Sequence, residues 1–225
     1  MSIIAPFTVG EHVIDVRKTE KKGGFSVFAA ILFEFAGQPA KREYCIFELS
    51  KELGAIKTGD IVVVEGVIPG ETRLGVFVRT YPKYYVSKKV IQRYIPRRKV
   101  LKKAHKNSLI NLVKKRYDIV KDLEVSNAVY EKYKKDYKDN QDKTPEEIRK
   151  RLMRNIIIAS EDRRNRNKLT RIFIFGNMKI VLKDNIVIDL IPLNRQETTW
   201  IMPKELGNIA LEYIDKMENK KLLLV

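Results

Sequence analysis

From Glu11 to Tyr81 the chain reads as short stretches with apolar residues at every second position, separated by turn signals, and this confines its first third to β-structure. Glu11 to Arg17 alternates through Ile14 and Val16 and is closed by Lys21-Lys22-Gly23-Gly24. Phe25 to Phe35 follows, with Phe25, Val27, Ala29, Ile31, Phe33 and Phe35 on one side. Phe28, Ala30 and Leu32 make the other side apolar too, as suits a strand that bends from one sheet into another. After a turn at Gly37 to Ala40, Lys41 to Leu49 points Cys45, Phe47 and Leu49 inward. A short helical turn over 49–60 is expected to deliver the chain to a fourth strand, Ile61 to Ile68, and a Pro69-Gly70 turn to a fifth, Arg73 to Tyr81. Five such strands bury their alternating faces by curling into a barrel, which also removes most exposed edges.

The stretch ELGAIKTGDIVVVEGVI and the following TRLGVFVRTY resemble the fourth and fifth strands of bacterial and archaeal single-strand-binding OB domains. The resemblance covers about a third of the chain. It departs at the C-terminus, where KKLLLV replaces the Gly-rich acidic tail of the bacterial proteins. It implies a five-stranded OB-like barrel over residues 1–85 that binds single-stranded nucleic acid. With Leu74, Val76, Val78 and Thr80 inside, alternation places Arg73, Phe77, Arg79 and Tyr81 outside, joined by Arg42 and Tyr44 of the third strand. Arginines interleaved with rings suit a single strand, whose bases stack while guanidinium groups hold the phosphates. The competing expectation is that Phe77 and Tyr81 pack beneath the C-terminal domain.

Charge divides the chain. The net charge is +17, yet residues 72–117 hold fifteen Lys or Arg and no acid, so most of the excess lies in one segment. A run without a single acid repels itself unless a polyanion neutralises it, and nucleic acid is the common intracellular polyanion. A solubility device or attraction to an anionic membrane surface are the plainer alternatives. Pro96 breaks the amphipathic helix that the membrane reading needs. Residues 86–122 are therefore expected as a basic helical connector. In and beside it Tyr84, Tyr85 and Tyr94 interleave with Lys88, Lys89, Arg93, Arg97, Arg98, Lys99, Lys102 and Lys103. Asn107-Ser108 is the expected N-cap of a helix that turns Leu109, Leu112, Val113 and Tyr117 to one face and leaves Lys114, Lys115 and Arg116 near the other.

Residues 123–225 read as an α+β domain. Ser126 opens a helix with Val129, Tyr133 and Tyr137 at helical spacing. Thr144-Pro145-Glu146-Glu147 combines an N-cap, a proline at the first helical position and a capping-box glutamate, ahead of Ile148, Leu152, Ile156 and Ala159. Thr170 to Phe175, Met178 to Leu182 and Ile186 to Leu193 form an expected three-stranded antiparallel meander, and Pro203 starts a last helix with Leu206, Ile209, Tyr213, Ile214 and Met217 inward. The meander is weakly similar to the barnase/RelE-like ribonuclease superfamily. That similarity implies RNA cleavage by the substrate's own 2′-OH, with His105, Arg163, Arg164, Arg171 and Thr198 as candidate parts. A lone histidine among lysines is more commonly plain surface.

One cysteine and two histidines exclude a disulfide and give poor transition-metal ligation, and Cys45 reads as a buried structural thiol. No phosphate-loop, dinucleotide-binding, zinc-protease or serine-hydrolase motif is present, so neither cofactor nor metal is expected. The absence of a long apolar run and of a leader-like start makes a cytoplasmic protein the expectation. The leading function is single-stranded DNA or RNA binding. An RNA-cleaving enzyme with a substrate-capturing barrel, or an adaptor within a nucleoprotein assembly, are the alternatives. A homo-oligomer formed through the C-terminal domain is a further expectation.

Overall fold

A computed structural model describes residues 13–15, 27–32, 45–49, 53–66, 70–82, 99–136, 141–162, 170–176, 178–193 and 203–223. The chain divides into two compact units, 1–36 with 40–104 and 37–39 with 105–225. Both α-helices and β-strands are present, in a curled sheet in the first unit and a second sheet in the other.

In the first unit β1 (Val13–Asp15) pairs antiparallel with β4 (Ala55–Lys57) in a small sheet of its own. The curled sheet is built from β2 (Val27–Leu32), β3 (Cys45–Leu49), β5 (Ile61–Glu65), β6 (Thr72–Pro82) and β7 (Lys99–Lys103). Its pairing runs β2-β3-β7-β5-β6 and back to β2. The β3·β7 seam is parallel and is held by Glu48 opposite Lys99 and Leu49 opposite Val100.

Three expectations are corrected here. The first expected strand stands outside the curled sheet. The expected helical turn over 49–60 is at most its opening part, where Leu53 is in 3₁₀ conformation and 50–52 lie outside the described residues; from Ala55 a strand leads into a turn whose Gly59 has φ +90°, a conformation that glycine adopts without steric cost. Above all, the last strand of the sheet comes from the basic segment: Val100 is buried in the same core as Phe47, Leu49, Val62 and Val64, so the unit runs to Ala104 rather than ending at residue 85.

The second unit opens with α1 (Lys106–Tyr117), which buries Leu109, Val113 and Tyr117. Then come β8 (Glu124–Val125), α2 (Asn127–Asp136) and α3 (Pro145–Ile158). The expected capping box is present: the Thr144 hydroxyl accepts from the Glu147 amide at 3.2 Å and the Glu147 carboxylate accepts from the Thr144 amide at 2.9 Å. Behind it Ile148, Leu152, Met153 and Ile156 are buried. Beyond α3 lie β9 (Ser160–Glu161), β10 (Thr170–Phe175), β11 (Met178–Lys183), β12 (Ile186–Pro192) and α4 (Lys204–Leu222). The expected meander is the centre of a five-stranded sheet ordered β8-β12-β11-β10-β9, with β8 parallel to β12. Lys183 faces Ile186 across the two-residue turn Asp184-Asn185, and both turn residues have positive φ, as the tight hairpin twist requires. Helices α3 and α4 pack together, and α1 packs on both. In α4, Leu206, Ile209 and Ile214 are buried as expected, while Tyr213 and Met217 are only half-buried.

Candidate nucleic-acid interface and a paired-arginine cluster

The outward row expected on β6 is overturned at its centre. Residues directly opposite each other on antiparallel strands share a face. Val62 and Val64, both in the core, stand opposite Gly75 and Arg73, so 73, 75 and 77 carry the inward parity. Phe77 is completely buried in that core. Its amide and carbonyl also close the Gly59-Asp60 turn, at 2.8 Å to the Asp60 carbonyl and 2.9 Å from the Gly59 amide. Val76 and Val78, on the other parity, are buried too, so β6 is apolar on both faces in its middle and alternation alone does not say which face is the core. Arg73, at the end of the inward row, turns back on Glu71, with Nε 3.0 Å from Oε1 and Nη2 3.3 Å from Oε2. A bulge then skips Val78: Phe77 is opposite Ile31, but Arg79 is opposite Ala30 and Tyr81 opposite Phe28. The side chains of Arg79 and Tyr81 lie outside the described residues. So do Arg42, Tyr44, Tyr84, Tyr85, Lys88, Lys89, Arg93, Arg97 and Arg98.

What the structure does bring forward is the later half of the basic segment. On β7, Lys99 and Lys102 are exposed. Lys103 is spent on Asp60, with Nζ 2.8 Å from Oδ2, and ties the strand to the turn that holds Phe77. On α1, Lys106, Lys114 and Lys115 are exposed together with Asn107, Ser108 and Asn111. Among the described residues none of Lys99, Lys102, Lys106, Lys114 and Lys115 has an acidic partner. The helix buries its apolar face and so keeps these cations at the surface.

His105 has a structural role. It is the N-cap of α1, in place of the expected Asn107-Ser108, and its Nδ1 accepts from the Asn107 amide at 3.3 Å. An imidazole can do this only with Nδ1 unprotonated. Of the other residues considered for RNA cleavage, Arg163, Arg164 and Thr198 lie outside the described residues. Arg171 is held by Glu161 at two points, Nε to Oε1 at 2.8 Å and Nη2 to Oε2 at 3.1 Å, and lies over the Phe173 ring with its guanidinium carbon 5.0 Å from the centroid. No hydrogen bond or ion pair joins it to His105 among the described residues.

Arg116 was missed by the sequence reading, which set it among the exposed cations. It turns inward from the last turn of α1 and donates Nη1 to the Ile157 carbonyl at 2.6 Å. That carbonyl belongs to the end of α3, where acceptors lack helical partners. Burial first, and the nearby Arg171 guanidinium second, push the Arg116 pKa down to about 10 against the opposing pull of Glu161. The available signal was its place in the helix: it follows the buried Val113 by three residues and adjoins Tyr117.

The YorE family model matches residues 123–208, from just before β8 into the first turns of α4. No curated protein and no solved structure matches the chain. Among the described residues no group of three His, Cys, Asp or Glu side chains could hold a metal ion, and no helix is long and apolar enough to cross a membrane.

Proposed function

We propose that the chain binds nucleic acid through the basic segment, with phosphates held by Lys99 and Lys102 in the first unit and, separately, by Lys106, Lys114 and Lys115 in the second. The observation that carries this is their exposure without an acidic partner among the described residues, inside a 72–117 segment that contains no acid at all. Five unneutralised cations on a short stretch of chain lower one another's stability, and a polyanion relieves them by releasing its own condensed counterions. Single strands are the preferred partner in this reading. Its support is the sequence of Tyr81, Tyr84, Tyr85 and Tyr94, rings interleaved with cations on the approach to β7. Phe77 no longer contributes. The curled sheet is read as an OB-like barrel in altered form, with β7 as its closing strand.

The test is fluorescence anisotropy with labelled single-stranded DNA, single-stranded RNA and duplex of equal length, across a potassium chloride series. On a single strand the logarithmic salt slope is roughly −0.7 per neutralised phosphate, about −1.4 from the two lysines of the first unit and about −2.1 from the three of the second. A K102E/K106E variant flattens that slope and weakens binding to every sequence alike. Salt-independent binding, or an affinity unchanged by the charge reversals, defeats the proposal. A strong preference for duplex defeats its single-strand part. A denaturing gel on the same samples shows intact RNA, whereas cleaved RNA transfers the assignment to the ribonuclease reading.

A further inference from the structure

We propose that the open face of the second unit's sheet docks a second copy of this chain about a two-fold axis, with Ile186 on the axis and Lys183 set against Glu124 of the partner subunit. Strand pairing fixes which side chains share that face. One row across the sheet reads Thr170, Lys183, Ile186 and Glu124, from β10 through β11 and β12 to β8. A second row reads Ile172, Val181 and Asp189, and a third Ile174, Lys179 and Ile191. On the opposite face Phe173, Ile180, Leu182, Val187 and Leu190 are all buried, and α3 packs against β10. On the open face Ile186 and Ile191 are 36% and 40% exposed, and Ile188, the extra residue of the bulge, is 43% exposed. Among the described residues these are three of the four exposed large apolar side chains, so exposed apolar surface is concentrated on one strand.

A face of β-branched side chains packs well on another of its kind, as in two stacked sheets. Its charges select the chain itself as the partner. Lys183 and Glu124 flank Ile186 in one row, and both are exposed. Neither has an ionic partner among the described residues, and Asp184, beside Lys183 in the turn, makes no ion pair with it. Rotation about an axis running along β12 through Ile186 lays Lys183 over Glu124 of the partner subunit and Glu124 over Lys183 of the partner subunit, so each copy supplies both signs. Asp189 is already held by Lys132 at 2.8 Å and brings no bare charge to the axis. A strand-to-strand contact along β12 is closed. The Leu190 amide donates to the Asp189 carboxylate at 2.7 Å, Pro192 has no N–H, and β8 occupies Ile186 and Val187. Nucleic acid would find no ring among these face residues to stack on. The three central strands, at about 4.8 Å spacing and about 3.4 Å rise, cover roughly 300 Å². That is under half of the about 800 Å² per partner of a standard interface, so the dimer forms and dissociates with concentration. The surface does not depend on the lysine segment, and it gives the homo-oligomer expected of the C-terminal domain a specific face.

The experiment measures mass in solution by sedimentation equilibrium, on the whole protein freed of nucleic acid, from about 1 μM to about 1 mM. The mass is expected to climb from one chain towards two across that range. Ile186→Glu, shown to be folded by circular dichroism, should weaken association about tenfold or more, because the symmetry repeats the change on both copies. Should that variant not fold, Ile191→Glu carries the same expectation. Lys183→Glu and Glu124→Lys should each weaken association, and the double reversal should restore it. A mass of one chain throughout overturns the proposal, and so does a folded Ile186→Glu that associates as before. A double reversal no stronger than the single ones overturns the two-fold arrangement. Oligonucleotide binding by Ile186→Glu should match that of the unmodified protein, which keeps this test separate from that of the lysine segment. Loss of that binding gives the face to nucleic acid and overturns the second copy.

Discussion

Helix α3 and strand β6 are the most strongly patterned segments of their units, and they met opposite fates. In α3 each local signal performs the expected bond: Thr144 caps, Pro145 starts, Glu147 closes the box, and Ile148, Leu152 and Ile156 are buried behind them. In β6 the alternation marked a strand but, with apolar residues on both faces at its middle, not its inner side, and Phe77 went to the core and Arg73 to the inward parity. A helix end is decided by groups three residues apart, which the sequence lists side by side. The face of a strand is decided by neighbours many residues away, here Val62, Val64 and Val100, and by a bulge that no residue type announces.

The sharpest way to break that contrast is Phe77→Ala. Removing a completely buried ring costs about 3–5 kcal/mol, so the variant should lose much of the first unit's stability. Hydrogen exchange followed segment by segment checks this: protection should collapse over 45–82 and 99–104 and persist in 145–158. Were Phe77 a surface stacking residue, the same change would leave exchange untouched and weaken single-strand binding instead.

The same contrast explains how much of the molecule was legible beforehand. The meander, the Asp184-Asn185 turn and the α2, α3 and α4 helices follow from punctuation and period, because turn chemistry and capping act over a few residues. The membership of β7 in the curled sheet was not legible. Lys-Val-Leu-Lys-Lys looks like part of a solvated basic run, and only Val100 and the pairing of Lys103 with Asp60 reveal a strand with a buried side. The candidate site was legible as a class of chemistry and less so as residues. The lysines of α1 are exposed because they lie off the face that buries Leu109, Val113 and Tyr117, which helical spacing shows, whereas the inward turn of Arg116 depends on the Ile157 carbonyl, 41 residues away.

A smaller effect sharpens the helical side of the comparison. Thr144→Ala leaves the Glu147 amide without its acceptor and should cost about 1 kcal/mol, with Thr144→Ser restoring most of it because serine caps as well. Urea denaturation followed by helical circular dichroism measures the difference. Exchange should accelerate at the first turn of α3 and leave the first unit unchanged. A loss of several kcal/mol would mean that Thr144 does more than cap.

The smallest expected effect lies in acid. Glu146 donates nothing to the capping box. Its carboxylate accepts from Arg149 at 3.0 and 2.8 Å, and this hydrogen bonding holds its pKa below the ordinary carboxylate value despite some burial. A carboxyl whose folded value is depressed binds its proton more readily in the unfolded chain. Its contribution is therefore complete above the unfolded value of about 4.3 and is lost as pH falls through the folded one. More than half of the Glu146 side chain is exposed, so water screens much of the interaction and the effect is slight. Arg149 keeps its second carboxylate, Glu218. Comparing the urea midpoints of the unmodified protein and Glu146→Gln from pH 7 down to pH 3 should show the variant slightly less stable at neutral pH and the two curves converging below pH 4. Curves that stay parallel throughout would place the acid sensitivity of α3 in another group, with Glu147 of the capping box next in line because the Thr144 amide holds its carboxylate ionised.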